Sequence, residues 1–301
     1  MKLVRLVLLL LLVAIIGLPL SAGATAEQGT QEVRKPIIAV SILPHRYFVQ
    51  EIGKDLVESM VLVGPGQNPH LYEPTPRQMA DLGKASVWIL SNTDFEIRLV
   101  PKIRSLYPNL LIIDGTEGVE FRVMEQEHEH EQEEEHHGDG TYDKHTWLGE
   151  DESKIFANHV LQVLVAIDHA NAESYRTHHE RLVSSIDSLF QELRRELSSL
   201  KGKTIFVYHP SFGYLFDDLG IVQEAVETGG KEPTPKTLSA LIEQAQADKA
   251  AAIFVQAQFP TAAADTIAAA IGARVIPLDP LSPDWLENIR NIGKALADIQ
   301  R

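Results

Sequence analysis

The 301-residue sequence combines an excess of acidic side chains with 12 histidines and no cysteine. Its 42 Asp and Glu residues against 27 Lys and Arg give a formal net charge of −15, which excludes a nucleic-acid-binding protein because nothing offsets repulsion from the phosphates. The absence of cysteine excludes a disulfide framework, a thiolate zinc site, an iron–sulfur cluster and a lipid-modified cysteine.

Residues 1–26 have the pattern of a secretory signal peptide. Two basic residues lie in the first five positions, residues 6–20 are mostly apolar, and residues 24–26 are the small residues of a cleavage site. A retained membrane anchor is the alternative, but it needs about 20 apolar residues, and a glycine and a proline interrupt this stretch. We therefore expect a periplasmic or otherwise extracytoplasmic protein that begins near residue 27 and is not lipid-anchored.

The two halves of the remaining chain repeat one pattern of short apolar strands that alternate with helices. The predicted strands are residues 37–41, 57–63, 87–90 and 110–113 in the first half, and 204–208, 221–225, 251–255 and 274–277 in the second. This alternation predicts an α/β protein of two lobes, each a parallel sheet with flanking helices. The N-terminal lobe is expected over residues 27–170 and the C-terminal lobe over residues 202–301.

A long helix is predicted between the lobes, over residues 171–201. Its apolar positions recur at steps of three and four residues: Leu182, Ile186, Leu189, Leu193, Leu197 and Leu200. At 1.5 Å per residue such a helix is about 45 Å long, enough to join both lobes as one rigid connector. A coiled-coil dimer is the alternative, but fewer than five heptads are present, so we expect a monomer.

Residues 124–140 stand out by composition. This segment contains eight acidic residues, no basic residue and four histidines: His128, His130, His136 and His137. So few apolar groups cannot offset the entropy lost on ordering, which predicts a disordered loop in the N-terminal lobe. Carboxylates alone would make it a solubilising insert. Imidazole suits Zn²⁺, Cu²⁺ and Ni²⁺, and the histidines therefore favour accessory metal capture.

Four further residues are candidate metal ligands. His70 follows the second predicted strand, His209 the fifth and Asp279 the eighth, and residues beyond the carboxyl ends of parallel strands line the ligand crevice. His145 lies just after the acidic loop. Three imidazoles and one carboxylate suit a tetrahedral zinc site. Each residue also fits an ordinary role. His70 and His209 could be turn or helix-start residues, and His145 could belong to the charged loop. Asp279, before Pro280, could form an Asx turn.

Several sequence blocks occur in a characteristic order along the chain. They are NPHLYEPTP, the His-rich acidic loop, HTWL, the long helix, YHPSFGYLFDDLG, KEPTP and PLDPL. In this order they resemble the ZnuA-type zinc-uptake solute-binding proteins, part of the metal-binding cluster of periplasmic binding proteins of ABC transporters. The resemblance covers essentially the whole chain after residue 26. It implies His70, His145, His209 and, in many members, Asp279 as the metal ligands, with Glu73 or water as alternatives to Asp279.

The resemblance implies a binding protein, not an enzyme, that captures Zn²⁺ between the lobes and delivers it to the membrane permease of an ABC transporter. Manganese-binding relatives resemble this chain but carry a carboxylate where His209 stands, so three imidazoles favour zinc. Three alternatives remain: a manganese or other divalent-metal protein of the same class, a zinc-dependent hydrolase with an open fourth coordination position, and a secreted metal buffer that uses only the loop.

Overall fold

Each half of the chain forms a four-stranded parallel sheet. The strands are β1 (Ile37–Val40), β2 (Glu58–Val61), β3 (Val87–Leu90) and β4 (Leu111–Asp114) in the N-terminal lobe, and β5 (Thr204–Val207), β6 (Val222–Ala225), β7 (Ala252–Val255) and β8 (Arg274–Pro277) in the C-terminal lobe. The strand orders are β2-β1-β3-β4 and β6-β5-β7-β8. The two sheets thus have the same topology, which confirms the predicted α/β architecture. The computed structural model describes residues 35–124, 142–227 and 231–300.

Helices follow the strands on both sides of each sheet. They are α1 (Leu43–Gly53), α2 (Pro76–Leu82), α3 (Asp94–Leu106), α4 (Glu150–Ile167), α5 (Ala172–Glu196), α6 (Gly213–Leu219), α7 (Pro235–Ala247), α8 (Ala262–Ile271) and α9 (Trp285–Asp298). Capping boxes start α2 and α3: Thr75 pairs with Gln78, and Thr93 with Glu96. The second box ties the loop after β3 to its helix, and that loop faces the cleft described below.

The long helix α5 connects the lobes as predicted. It has 25 residues and is followed by a 3-10 turn, Ser198–Leu200, which completes the predicted segment 171–201. Its apolar stripe is buried through residues that include Leu182, Ile186 and Leu189. The helix packs against α4 and α1 of the N-terminal lobe and against α9 and α6. Because side chains of both lobes pack against it, α5 is a rigid connection between the lobes and not a flexible linker.

The C-terminal helix α9 packs back onto the N-terminal lobe. Trp285 at its start is fully buried and contacts Phe48 of α1, with ring centroids 5.1 Å apart. Further along, a Cβ at Gly293 would lie 2.2 Å from Leu193 Cδ2, so a larger residue there would displace the Leu193 side chain packed between α9 and α5. One apolar core therefore runs from the N-terminal sheet along α5 into the C-terminal lobe. A smaller cluster, including Phe206 and Ile253, lies beneath α7 and α8.

The 3-10 turn Thr146–Leu148 lies where the two lobes meet. The indole Nε1 of Trp147 donates to the carbonyl of Pro280 at 2.8 Å, and the indole of Trp285 donates to the carbonyl of Trp147. These reciprocal bonds join the turn to the segment after β8. They fix the backbone position of the residue that precedes the turn, His145.

Two predicted features lie outside the described residues. They are the signal peptide, residues 1–26, and the His-rich part of the acidic loop, with His128, His130, His136 and His137. At the base of that loop, Val123 and Tyr142 form an antiparallel bridge. None of the described helices combines the length and the apolar character needed to cross a membrane.

Candidate metal centre

Three of the four predicted ligands meet between the lobes. His70 lies in the 3-10 turn Pro69–Leu71, His145 directly precedes the turn Thr146–Leu148, and His209 lies just beyond β5. The Nε2 atom of His209 is 3.2 Å from Nε2 of His70 and 3.2 Å from Nε2 of His145. Among the described residues, no other group of three His, Asp or Glu brings its ligand atoms so close together.

A carboxylate accompanies the other ring nitrogen of each histidine. Nδ1 lies 3.3 Å from Asp94 for His70, 2.8 Å from Asp143 for His145 and 2.5 Å from Glu227 for His209. A neutral imidazole has one N–H, and donation of that hydrogen from Nδ1 leaves the Nε2 lone pair free. Such outer partners fix the tautomer and ring orientation of metal-binding histidines. The arrangement therefore presents three Nε2 lone pairs to one point.

Local sequence explains part of this geometry. Asn68 caps the turn of His70, accepting the backbone N–H of His70 at 2.9 Å, and Pro69 restricts the backbone between them. At the end of β7, Gln256 accepts from the backbone N–H of His209 at 3.1 Å and donates to its carbonyl at 2.9 Å. Both histidines are thus placed by hydrogen bonds to their main chain, independently of any ion.

Burial controls the protonation of His209. His209 is 6% exposed, and its ring stacks on Phe259 with centroids 4.3 Å apart. Removal from water lowers the pKa of His209 to about 4, although Glu227 opposes this shift. His209 therefore remains in the neutral, metal-binding form at pH values that protonate an exposed imidazole.

The third histidine, His70, is only half-buried and borders a pocket. Asp94, its partner, also accepts from Lys144 at 2.5 Å. The hydrogen bond from His70, together with the Lys144 ammonium, keeps the pKa of Asp94 well below its usual range. The pocket is lined from both lobes, with Lys144 and Trp147 on one side and Ser211, Phe259 and Leu281 on the other.

The structure does not place Asp279 or Glu73 with the three histidines. Asp279 is exposed, and its Oδ1 accepts the backbone N–H of Leu281 at 2.9 Å. This is the Asx turn that the sequence also allowed before Pro280. Glu73 is exposed, two residues after the turn that contains His70. The group of converging donors among the described residues is therefore three imidazoles without a carboxylate.

Two of the other described histidines, His45 and His159, have partners away from the metal centre. Nδ1 of the buried His45 lies 2.7 Å from Ser91 Oγ, and its ring stacks on Phe156. His159 bonds the carbonyl of Glu117. These contacts give His45 and His159 roles in packing and surface hydrogen bonding.

The comparisons with known proteins identify the family. Residues 38–299 match the family model ZnuA, described as zinc-uptake complex component A, periplasmic. The chain belongs to the ZnuA family. A crystal structure of ZnuA is 32% identical, covers 88% of this chain and 99% of its own, and superposes with a TM-score of 0.81. The predicted resemblance is therefore confirmed.

Relatives of the ZnuA family differ in the metal that their names record. The high-affinity zinc uptake system protein ZnuA of Bacillus subtilis is 25% identical over 90% of this chain and 85% of its own. The manganese ABC transporter substrate-binding lipoprotein PsaA of Streptococcus pneumoniae is 23% identical over 85% of this chain and 82% of its own. The family and these relatives are solute-binding proteins and not enzymes, which confirms that expectation.

Sequence reasoning missed the three carboxylates behind the histidines. Asp143 could have been found from its position two residues before His145, a common spacing for a side chain that accepts a local backbone N–H. Asp94 and Glu227 lie 24 and 18 residues from their histidines, and no local pattern relates them.

Glu227→Gln is expected to weaken metal binding by about 10- to 100-fold, because an amide accepts the Nδ1 hydrogen of His209 less strongly than a carboxylate. Chelator competition measures the change in Kd. Glu243→Gln, on the exposed surface of α7, is the matched control and should leave the Kd unchanged. Equal affinities for wild type and Glu227→Gln would show that this carboxylate does not support the ligand.

Proposed function

We propose that this protein binds one Zn²⁺ ion through His70, His145 and His209 and delivers it to the membrane permease of an ABC transporter. The observation that carries the proposal is the convergence of three Nε2 atoms from two lobes, each imidazole paired at Nδ1 with a carboxylate. Membership of a solute-binding family supports the transport role and the permease as partner.

The donor set favours zinc over manganese. Imidazole nitrogen is a borderline donor that suits Zn²⁺, whereas Mn²⁺ favours carboxylate oxygen. Manganese uptake is the second candidate function, supported by the likeness to PsaA. Under that alternative a carboxylate oxygen should join the ligands, and Asp279 would have to leave its turn to reach the ion.

The charge of the ion would be balanced outside the ligand group. Three neutral imidazoles contribute no charge, but Asp143 and Glu227 are buried directly behind two of them. Hydrogen bonds from Nδ1 to these carboxylates make the imidazoles more basic and more strongly binding. With Asp279 held in its turn, we propose that water completes the tetrahedron. A replaceable fourth ligand would ease release to the permease.

Two proposals concern the residues outside the described ranges. Residues 1–26 would direct export and then be removed, and without cysteine the chain offers no thiol for a lipid anchor. His128, His130, His136 and His137 would bind further zinc ions weakly and raise their concentration near the cleft.

Titration of the metal-free protein tests the proposed binding of metal in the cleft and by the loop. The wild type should bind one Zn²⁺ tightly and further ions weakly, and deletion of residues 124–140 should remove only the weak sites. Competition with Mn²⁺ in the same experiment tests metal choice, and zinc should remain bound in a large excess of manganese. Displacement of zinc by equimolar Mn²⁺ would favour the manganese alternative. Loss of the tight site in the deletion variant would favour a buffer that uses only the loop.

A further inference from the structure

Arg122 lies between the metal centre and the contact of the two lobes. Its guanidinium reaches Asp143 of the N-terminal lobe with Nη1 to Oδ2 at 3.4 Å, and Asp217 of α6 with Nε to Oδ2 at 2.7 Å. A second nitrogen, Nη2, lies 3.4 Å from the other oxygen of Asp217. One cation thus bridges two carboxylates that belong to different lobes.

The N-terminal end of this bridge holds a metal ligand. The Asp143 side chain is fully buried, and its Oδ1 accepts both the backbone N–H of His145 at 2.9 Å and Nδ1–H of the same residue at 2.8 Å. A buried carboxylate requires compensating charge and hydrogen bonds. Arg122 provides that charge at the oxygen that His145 does not use. The orientation of the His145 ring therefore depends on a carboxylate that Arg122 holds.

The C-terminal end of the bridge is built closely onto α6. A Cβ at Gly213 would lie 2.2 Å from Arg122 Nη1, so the guanidinium occupies the space beside the first residue of that helix. The hydroxyl of Tyr214 accepts the backbone N–H of Arg122 at 3.1 Å and donates to the carbonyl of Asp143 at 2.8 Å. Side chain and backbone bonds together make α6 the support for both Arg122 and Asp143.

We propose that Arg122 is a positioning residue that couples the contact between the lobes to the metal affinity of His145. The inference rests on the proposed function. While α6 holds the guanidinium, Asp143 stays fixed and presents His145 with Nε2 toward the ion. Separation of α6 from Arg122 removes one of the two carboxylates that hold the guanidinium and loosens the support of His145. Because coupling is reciprocal, zinc bound at His145 strengthens the contact at α6.

Substitution at Asp217 tests this coupling without touching the centre. Asp217 is 58% exposed, bonds Arg122 and contacts none of the three histidines. Asp217→Asn should weaken zinc binding by about 3- to 10-fold, and Arg122→Gln by about 10- to 100-fold. The double variant should match Arg122→Gln alone, since both changes break one bridge. Chelator competition on the full-length exported protein measures the Kd of each variant for zinc. Thermal unfolding of the metal-free proteins measures whether the substitutions change their stability.

Two controls separate positioning from a general loss of structure. Asp187→Asn removes an ion pair of similar exposure, Lys154 to Asp187 at 3.0 Å, that joins α4 to α5 and does not lead to a ligand. It should leave the Kd unchanged. In an Asp143→Asn background the effect of Asp217→Asn should vanish, because the path to His145 is already broken.

Three results would overturn the inference. They are an unchanged Kd in Asp217→Asn and Arg122→Gln, losses that multiply in the double variant, and an undiminished effect of Asp217→Asn in the Asp143→Asn background. Failure of the wild type to bind zinc tightly at 1:1 would overturn the proposed function and the inference together. Tight wild-type binding with insensitive variants would overturn the inference alone.

Discussion

His209→Ala is expected to abolish tight zinc binding. The affinity should fall by more than about 100-fold, the upper end of the loss caused by removing a carboxylate that supports a ligand. His209 is the central ligand of the three, because its Nε2 lies 3.2 Å from that of each neighbour. Without His209 only two of the converging protein ligands are left, one fewer than the three protein ligands of an open tetrahedral zinc site. Isothermal titration of the metal-free protein, with a chelator for tight binding, measures stoichiometry and Kd.

A second histidine variant controls for the change in composition. His159→Ala removes an imidazole from α4 that bonds only a backbone carbonyl among its described contacts, and it should retain the wild-type Kd. The His209→Ala protein should also keep its weak sites if the loop supplies them. Retention of a tight 1:1 site by His209→Ala would refute the three-histidine centre.

Acidification is expected to destabilise the metal-free protein through His45. Burial lowers the pKa of His45 to about 3, against 6.5 for the ordinary imidazole. The unfolded chain therefore takes up a proton below about pH 6.5 that the folded chain refuses, and stability falls as pH decreases through this window. The loss should reach about 3 kcal/mol near pH 4. Urea unfolding at several pH values between about 7 and 4 measures it.

The contribution of His45 must be separated from that of Glu96. Burial raises the pKa of Glu96 to about 7, so its protonation in the folded state adds stability as pH falls toward 4.5. His45→Phe keeps an aromatic ring against Phe156 and removes the titration. The substitution also removes the hydrogen bond to Ser91, which lowers stability equally at every pH. The variant should show a smaller decrease in unfolding free energy between pH 7 and 4 than the wild type. Parallel pH profiles of the two proteins would exclude His45 as the source.

Local sequence patterns were sufficient to predict the architecture. Apolar runs bounded by turn residues marked the strands of the two sheets. The signal was strongest for the central strands, because a strand that is mostly buried has a nearly continuous hydrophobic sequence. The leucine spacing of α5 did the same for the connector. Strand ends then indicated His70 and His209, since the carboxyl edge of a parallel sheet is where ligands bind. These inferences needed no knowledge of which residues lie close in space.

Asp279 shows where that reasoning reached its limit. It also follows a strand, but a backbone N–H two residues later holds its carboxylate, and sequence alone cannot decide between that local bond and a distant ion. The sequence predicted which residue types could bind the metal, but not which of them have a backbone conformation that directs the side chain to the site.

The sequence by itself determined the two-lobed α/β fold and the family, since both leave local patterns in the chain, and it predicted the three imidazoles as ligands. Only the tertiary structure decided which groups support those imidazoles. Asp94, Asp143, Glu227 and Arg122 act across separate elements, and Arg122 and Asp217 are 95 residues apart. Such pairs form because packing of both lobes on α5 brings distant segments together. A contact between distant segments leaves no periodic pattern in the sequence.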